Sequence, residues 1–185
     1  MACKRNIFLV GPMGSGKTTI GKVVAREFGL DFYDSDQELE RLTGASVNLI
    51  FDVEGEAGFR ERETRLLRDL TRKRGVLIAT GGGAVTSAEN RRLLRQGGLV
   101  IWLKTSVEQQ LKRLIHDKAR PLLQAPDRKA RLEALAQQRN PLYHSVADLE
   151  FASPEHQSKL AAQALIRSIR DFREAHDQES AHAER

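Results

Sequence analysis

The sequence predicts an α/β protein built on a parallel sheet with helices on both faces. Three observations carry that reading. Short apolar runs alternate with segments whose apolar residues recur at helical spacing, the pattern of a parallel sheet with crossover helices. A glycine-rich turn, Gly11-Pro12-Met13-Gly14-Ser15-Gly16-Lys17-Thr18, joins the first apolar run to the first helix. Acids at Asp34 and Asp36 and glycines at Gly81, Gly82 and Gly83 each follow the end of another run. Ligands of such sheets lie beyond the carboxyl ends of the strands, so the three turns should converge on one crevice.

The first strand is Ile7-Phe8-Leu9-Val10, and Ile20, Val23, Val24 and Phe28 mark the helix that follows, with Gly29 as its C-cap. Between them every fixed position of G-x-x-x-x-G-K-[ST] is filled. The glycines let successive backbone N–H groups point inward at the positive end of a helix, a nest for phosphate oxygens. Gly14, Ser15, Gly16, Lys17, Thr18 and Thr19 are therefore the candidate ATP contacts. Lys17 would reach the β- and γ-phosphates, and the Thr18 hydroxyl would ligate Mg²⁺.

Leu30 to Tyr33 forms the second strand and runs into Asp34-Ser35-Asp36. From Gln37 to about Gly75 the pattern fits two or three helices broken at Gly44 and Gly55, a helical insertion of which about 34–62 would bind a substrate. Val76 to Ala79 is the third strand. Thr86 with Glu89 offers a capping box for a helix closed by Gly97-Gly98. Leu99 to Leu103 is the fourth strand, and Thr105 with Glu108 offers a second box for the helix carrying Val107, Leu111 and Leu114. The segment 117–127 is polar, basic and proline-bearing, as a mobile lid would be. A helix around Leu132 and Leu135 leads to a proline turn at Arg139-Asn140-Pro141. Leu149 to Ala152 is the fifth strand, and Ser153-Pro154 starts the last helix. Residues 1–172 read as one domain, and 173–185 as a polar, disordered tail.

A chain of 185 residues with 40% hydrophobic and 30% charged residues suits one globular domain. The net charge of +5 is scattered among acids, as in Arg60-Glu61-Arg62-Glu63, which argues against a nucleic-acid partner. Cys3 is the only cysteine, the apolar run after Lys4 and Arg5 is too short for a signal peptide, and no run reaches membrane-spanning length. A cytoplasmic monomer with no membrane contact is the expectation. The histidines lack metal-ligand spacing.

No Asn-Lys-x-Asp base reader of a GTPase occurs, and the third and fourth strands end in Thr80 and Lys104 rather than an acid. Asp34 and Asp36, two residues apart on an extended segment, could face the cleft together, one near the metal and one near an acceptor hydroxyl. The same pair also fits an Asx turn or a helix N-cap. Arg60 and Arg139 could each grip a carboxylate or phosphate, although either alone also fits an ordinary surface arginine.

Taken together these segments resemble the shikimate kinase family. The resemblance rests on Arg60-Glu61-Arg62-Glu63, Leu67, Leu77-Ile78-Ala79-Thr80-Gly81-Gly82-Gly83-Ala84-Val85, Asp34-Ser35-Asp36, Arg120-Pro121-Leu122-Leu123 and Arg139-Asn140-Pro141-Leu142-Tyr143, and it covers roughly 4–172. It implies a three-layer P-loop fold with a five-stranded parallel sheet of order 2-3-1-4-5. It also implies transfer of the ATP γ-phosphate to the 3-hydroxyl of shikimate in aromatic amino-acid biosynthesis. By the same resemblance Asp36, Arg60, Gly82 and Arg139 bind shikimate, Thr18 and Asp34 serve Mg²⁺, Arg120 is the lid arginine on ATP, and Arg113 and Gln157 belong to the adenine pocket. Lys17, Asp36 and Arg120 form the expected catalytic set. Glu63 braces Arg60 by spacing. The alternatives are a kinase of the same fold acting on another hydroxy-carboxylate such as gluconate, and an ATP-driven nucleic-acid-binding switch.

Overall fold

The computed structural model describes residues 6–114, 127–152 and 158–183. Five parallel strands form one sheet in the order β2-β3-β1-β4-β5. They are β1 (Asn6–Val10), β2 (Asp31–Asp34), β3 (Val76–Ala79), β4 (Gly98–Lys104) and β5 (Leu149–Ala152). β1 lies at the centre, with Phe8 beside Ile78 on one side and Val100 on the other. Every residue of β1 is buried. Side chains alternate across a strand, so Phe8 and Val10 feed one core layer while Ile7 and Leu9 feed the other. Burial on both faces is why β1 reads as an unbroken apolar run.

Helices α1 (Lys17–Phe28) and α7 (Ser158–Ala183) cover the Ile7/Leu9 face through Ile20, Val24, Ala162 and Leu165. The opposite face is covered by α3 (Val47–Thr71), α4 (Ala88–Gly97) and α6 (Arg128–Val146) through Leu67, Leu94 and Val146. α2 (Ser35–Thr43) leads from β2 into α3, and α5 (Val107–Leu114) follows β4. Among the described residues no helix is long and apolar enough to cross a membrane.

The insertion breaks where its glycines stand: Gly44 caps α2 and Gly55 kinks α3. Other boundaries differ from the sequence reading for local reasons. Both helix caps sit one residue later than expected. Ser87 accepts from the Asn90 N–H, and Ser106 and Gln109 cap each other reciprocally. Glu89, freed from a capping role, pairs with Arg68 instead. No proline turn follows Arg139, because α6 continues through Pro141. Pro141 faces solvent, and the turn beyond it buries Tyr143 and Val146, which offsets the missing backbone donor. Beyond Phe172, where a disordered tail was expected, α7 runs on to Ala183. The lid segment except Asp127, and the Ser153-Pro154 start of the last helix, lie outside the described residues.

Candidate functional site

The P-loop leaves β1 between its neighbours β3 and β4, the point at which the sheet's order reverses and a crevice opens. Gly16 caps α1 with φ +87°, a conformation that only glycine adopts cheaply, and it allows the loop to turn straight into the helix. The Lys17 ammonium donates to the carbonyls of Gly11 and Pro12, at 2.8 Å each, so it lies across the mouth of the loop. Arg113 reaches in from α5 and donates to the Gly14 carbonyl at 2.9 Å. Ser15 is buried within the loop, and Thr19 is exposed on the first turn of α1. Apart from Arg113, these groups are positioned by one short stretch of backbone and the helix it opens.

The second strand delivers the acids differently from the sequence reading. Asp34 ends β2 and is the N-cap of α2, accepting from the N–H groups of Asp36 and Gln37. Asp36 is therefore helical rather than extended, and the two carboxylates diverge in role. The other oxygen of Asp34 accepts from the Thr18 hydroxyl at 2.6 Å. The N-cap reading of Asp34 is therefore the one its hydrogen bonds show. A hydroxyl and a carboxylate oxygen suit a hard cation that keeps most of its waters. Among the described residues no group of three or more His, Cys, Asp or Glu could hold a metal ion.

Beside the P-loop lies a cleft of about 320 Å³ whose walls include Asp36, Arg60, Glu63, Gly82 and Arg139. Phe51 and Phe59, stacked 4.4 Å apart, give it an apolar wall. The four residues expected to bind the acceptor therefore come together, from β2–α2, α3, the turn after β3, and α6. Arg60 donates to Glu63 at 2.7 Å, as the three-residue spacing suggests. Arg139, far from an ordinary surface arginine, is only 8% exposed, and burial pulls its pKa down. Glu63 is 2% exposed, and burial pushes its carboxyl up against the opposing pull of Arg60 and Arg139.

The glycine turn is shaped by these charges. A methyl group on Gly83 would lie 2.2 Å from the Arg60 guanidinium, and one on Gly81 would meet Glu63 and Asp36 inside 3 Å. The Gly81 N–H is held by the buried Ser35 hydroxyl at 2.9 Å. Ser35 was passed over in the sequence as the spacer of Asp34-Ser35-Asp36, and nothing there signals a partner 46 residues away. Three buried polar atoms around the cleft have no hydrogen-bond partner: Nε of Arg60, Nε of Arg139 and Oε1 of Glu63. Buried donors without partners are costly, and two from arginines facing one cleft suit an anionic ligand. Arg120 and Gln157 lie outside the described residues.

A family model described as shikimate kinase matches residues 13–170. Shikimate kinase 1 of Sodalis glossinidius is 53% identical over 171 residues, which is 91% of this chain and 98% of that protein. Among solved structures, shikimate kinase from Acinetobacter baumannii in complex with shikimate superposes with a TM-score of 0.88 at 47% identity, covering 90% of this chain and 93% of the other. A gluconokinase from Sinorhizobium meliloti shares the fold alone, with a TM-score of 0.62 at 16% identity over 96% of this chain and 99% of the other.

Proposed function

The chain belongs to the shikimate kinase family, and from that premise we infer that it transfers the γ-phosphate of ATP to the 3-hydroxyl of shikimate. The products are ADP and shikimate 3-phosphate, an intermediate on the route to chorismate and the aromatic amino acids. One observation carries the reading in this molecule: two arginines, Arg139 buried and Arg60 partly so, each with a buried, unpaired Nε, face a cleft alongside the P-loop. A carboxylate between Arg60 and Arg139 would satisfy both as charge-assisted pairs. The neutral ring would sit against the Phe51–Phe59 wall, and Asp36 and the Gly82 backbone would take its hydroxyls.

In this arrangement Asp36 orients the attacking hydroxyl and stands as the candidate base. Phosphoryl transfer passes through a loose transition state, so alignment and charge compensation matter more than base strength. Lys17, at the mouth of the P-loop, would shift from its carbonyl partners onto the phosphate oxygens. Thr18 and Asp34 would hold Mg²⁺, the Asp34 contact running through a water. When bound, that ion neutralises charge on the β- and γ-phosphates. Arg113 and Gln157 are assigned to the nucleotide and Arg120 to the lid that closes on it. The reading carries with it a cytoplasmic monomer.

The decisive assay is ADP release from ATP–Mg²⁺ with shikimate, gluconate, nucleoside monophosphates, polynucleotide or no acceptor. Turnover with shikimate alone is expected. Turnover with gluconate, or ADP release stimulated only by polynucleotide, would overturn the reading.

A further inference from the structure

The acceptor cleft has one more residue behind it that no role yet covers. Tyr143 lies one helical turn after Arg139 on α6, so the two share a face of that helix. Its ring is 1% exposed and packs against Trp102, with ring centres 5.7 Å apart. Its hydroxyl donates to the Gly82 carbonyl at 2.5 Å, spanning 61 residues of sequence. The Arg139 guanidinium lies against the same turn, with one terminal nitrogen 3.8 Å from where a Cβ on Gly82 would stand. A phenol has one proton to give and lone pairs to accept with, so it can serve both neighbours at once. Burial pushes its pKa up to about 12, which keeps that proton in place.

We infer that Tyr143 is a positioning residue for the acceptor: its hydroxyl pins the Gly82 turn beside the Arg139 guanidinium, holding both in register for the substrate. This deepens the shikimate kinase reading and rests on it. The need for such a tie follows from the turn itself. Gly81-Gly82-Gly83 has no side chain with which to hold its peptide planes, and glycine has the most backbone freedom to lose. Ser35 fixes the first of those planes through the Gly81 N–H. Tyr143 fixes the peptide that follows Gly82. Arg139 in turn is a long side chain whose Nε has no partner, so the turn it lies against, and the Tyr143 ring one helical turn on, bear on where the fork points.

The competing view is that Tyr143 only fills the core beneath the cleft. Tyr143→Phe separates the two, because it keeps the ring and its packing on Trp102 while deleting the hydroxyl. With positioning, the KM for shikimate rises about tenfold, the scale of one buried hydrogen bond, while the KM for ATP stays within about twofold. The melting temperature should barely move. In a double-mutant cycle, Tyr143→Phe should add little to the loss already caused by Arg139→Lys, since both disturb one unit. An unchanged shikimate KM, equal rises in both KM values, or full additivity in the cycle would each overturn the assignment. Wild-type chain that shows no shikimate-dependent ADP release would instead overturn the kinase reading, and this inference with it.

Discussion

The two ends of the crevice are built by opposite strategies. At the nucleotide end, eight consecutive residues make most of the site, and the groups that would meet phosphate are backbone N–H groups, one lysine and one hydroxyl. At the acceptor end, no two of Asp36, Arg60, Gly82 and Arg139 are closer than 22 residues in sequence. There Glu63 and Arg139 are buried, Arg60 pairs with Glu63, and buried polar atoms stay unmatched. Phosphate is the same in every nucleotide, so a local backbone shape suffices to bind it. A particular small acid must be told from its relatives, and that needs side chains brought from several elements into a partly dry cleft. Damage at the first end should therefore abolish chemistry, whereas damage at the second should be read mainly in acceptor affinity.

The sharpest break between the two ends is Lys17→Met. Its ammonium is held by loop groups, and methionine keeps the length without the charge. Turnover should fall by at least about 10³-fold, the scale on which cationic groups act in phosphoryl transfer, with the fold intact by circular dichroism. A folded variant with near-normal kcat would show that the loop is not where the phosphoryl group is stabilised.

The acceptor end should respond differently. Arg60→Ala and Arg139→Ala should each weaken shikimate binding by roughly 2–5 kcal/mol, the cost of losing one partner from a desolvated charge pair. ATP binding should change little, and calorimetric titration of each substrate checks both. Arg60→Ala also strips Glu63 of its ion-pair partner while it stays buried, so that variant should lose more stability than its activity alone implies. If ATP affinity fell as far as shikimate affinity in either variant, the division between the two ends would fail at that residue.

That division also explains what could be read from the residues in advance. The strands, the P-loop and the glycine breaks of the insertion are local signals, and each was visible because the physics that makes it acts within a few residues. Arg60 and Arg139 alone fit surface arginines as well as ligands. Only the resemblance to a family joined them, and the burial of Arg139 and the pairing of Arg60 with Glu63 are tertiary facts. Ser35 and Tyr143 stand inside motifs with nothing local to mark a role, because their partners at Gly81 and Gly82 are 46 and 61 residues distant. The helical state of Asp36 was missed for a related reason. An Asp-Ser-Asp run serves a strand end and a helix cap equally well, and the N-cap bonds of Asp34 decide it.

The gentlest probe is Glu63→Gln, which tests whether the acceptor end carries a cost in stability. Glu63 sits almost wholly buried beside Arg60, and burial outweighs the two arginines, with Asp36 adding to the push, so its pKa lies above the ordinary 4.5. The folded protein then binds this proton more tightly than the unfolded chain does. The stability from this group is complete below pH 4.5 and is lost as pH rises through the raised folded value. Glutamine cannot ionise, yet it still offers an oxygen to Arg60. The variant should thus match the wild type in acid, gain on it as pH climbs from 4.5, and level off once the wild-type carboxyl has ionised. Urea midpoints for both proteins between roughly pH 4 and pH 8 give the comparison directly. A wild type that instead gains on the variant across that window would mean that Arg60 and Arg139 win, and that the buried carboxylate is a net support rather than a cost.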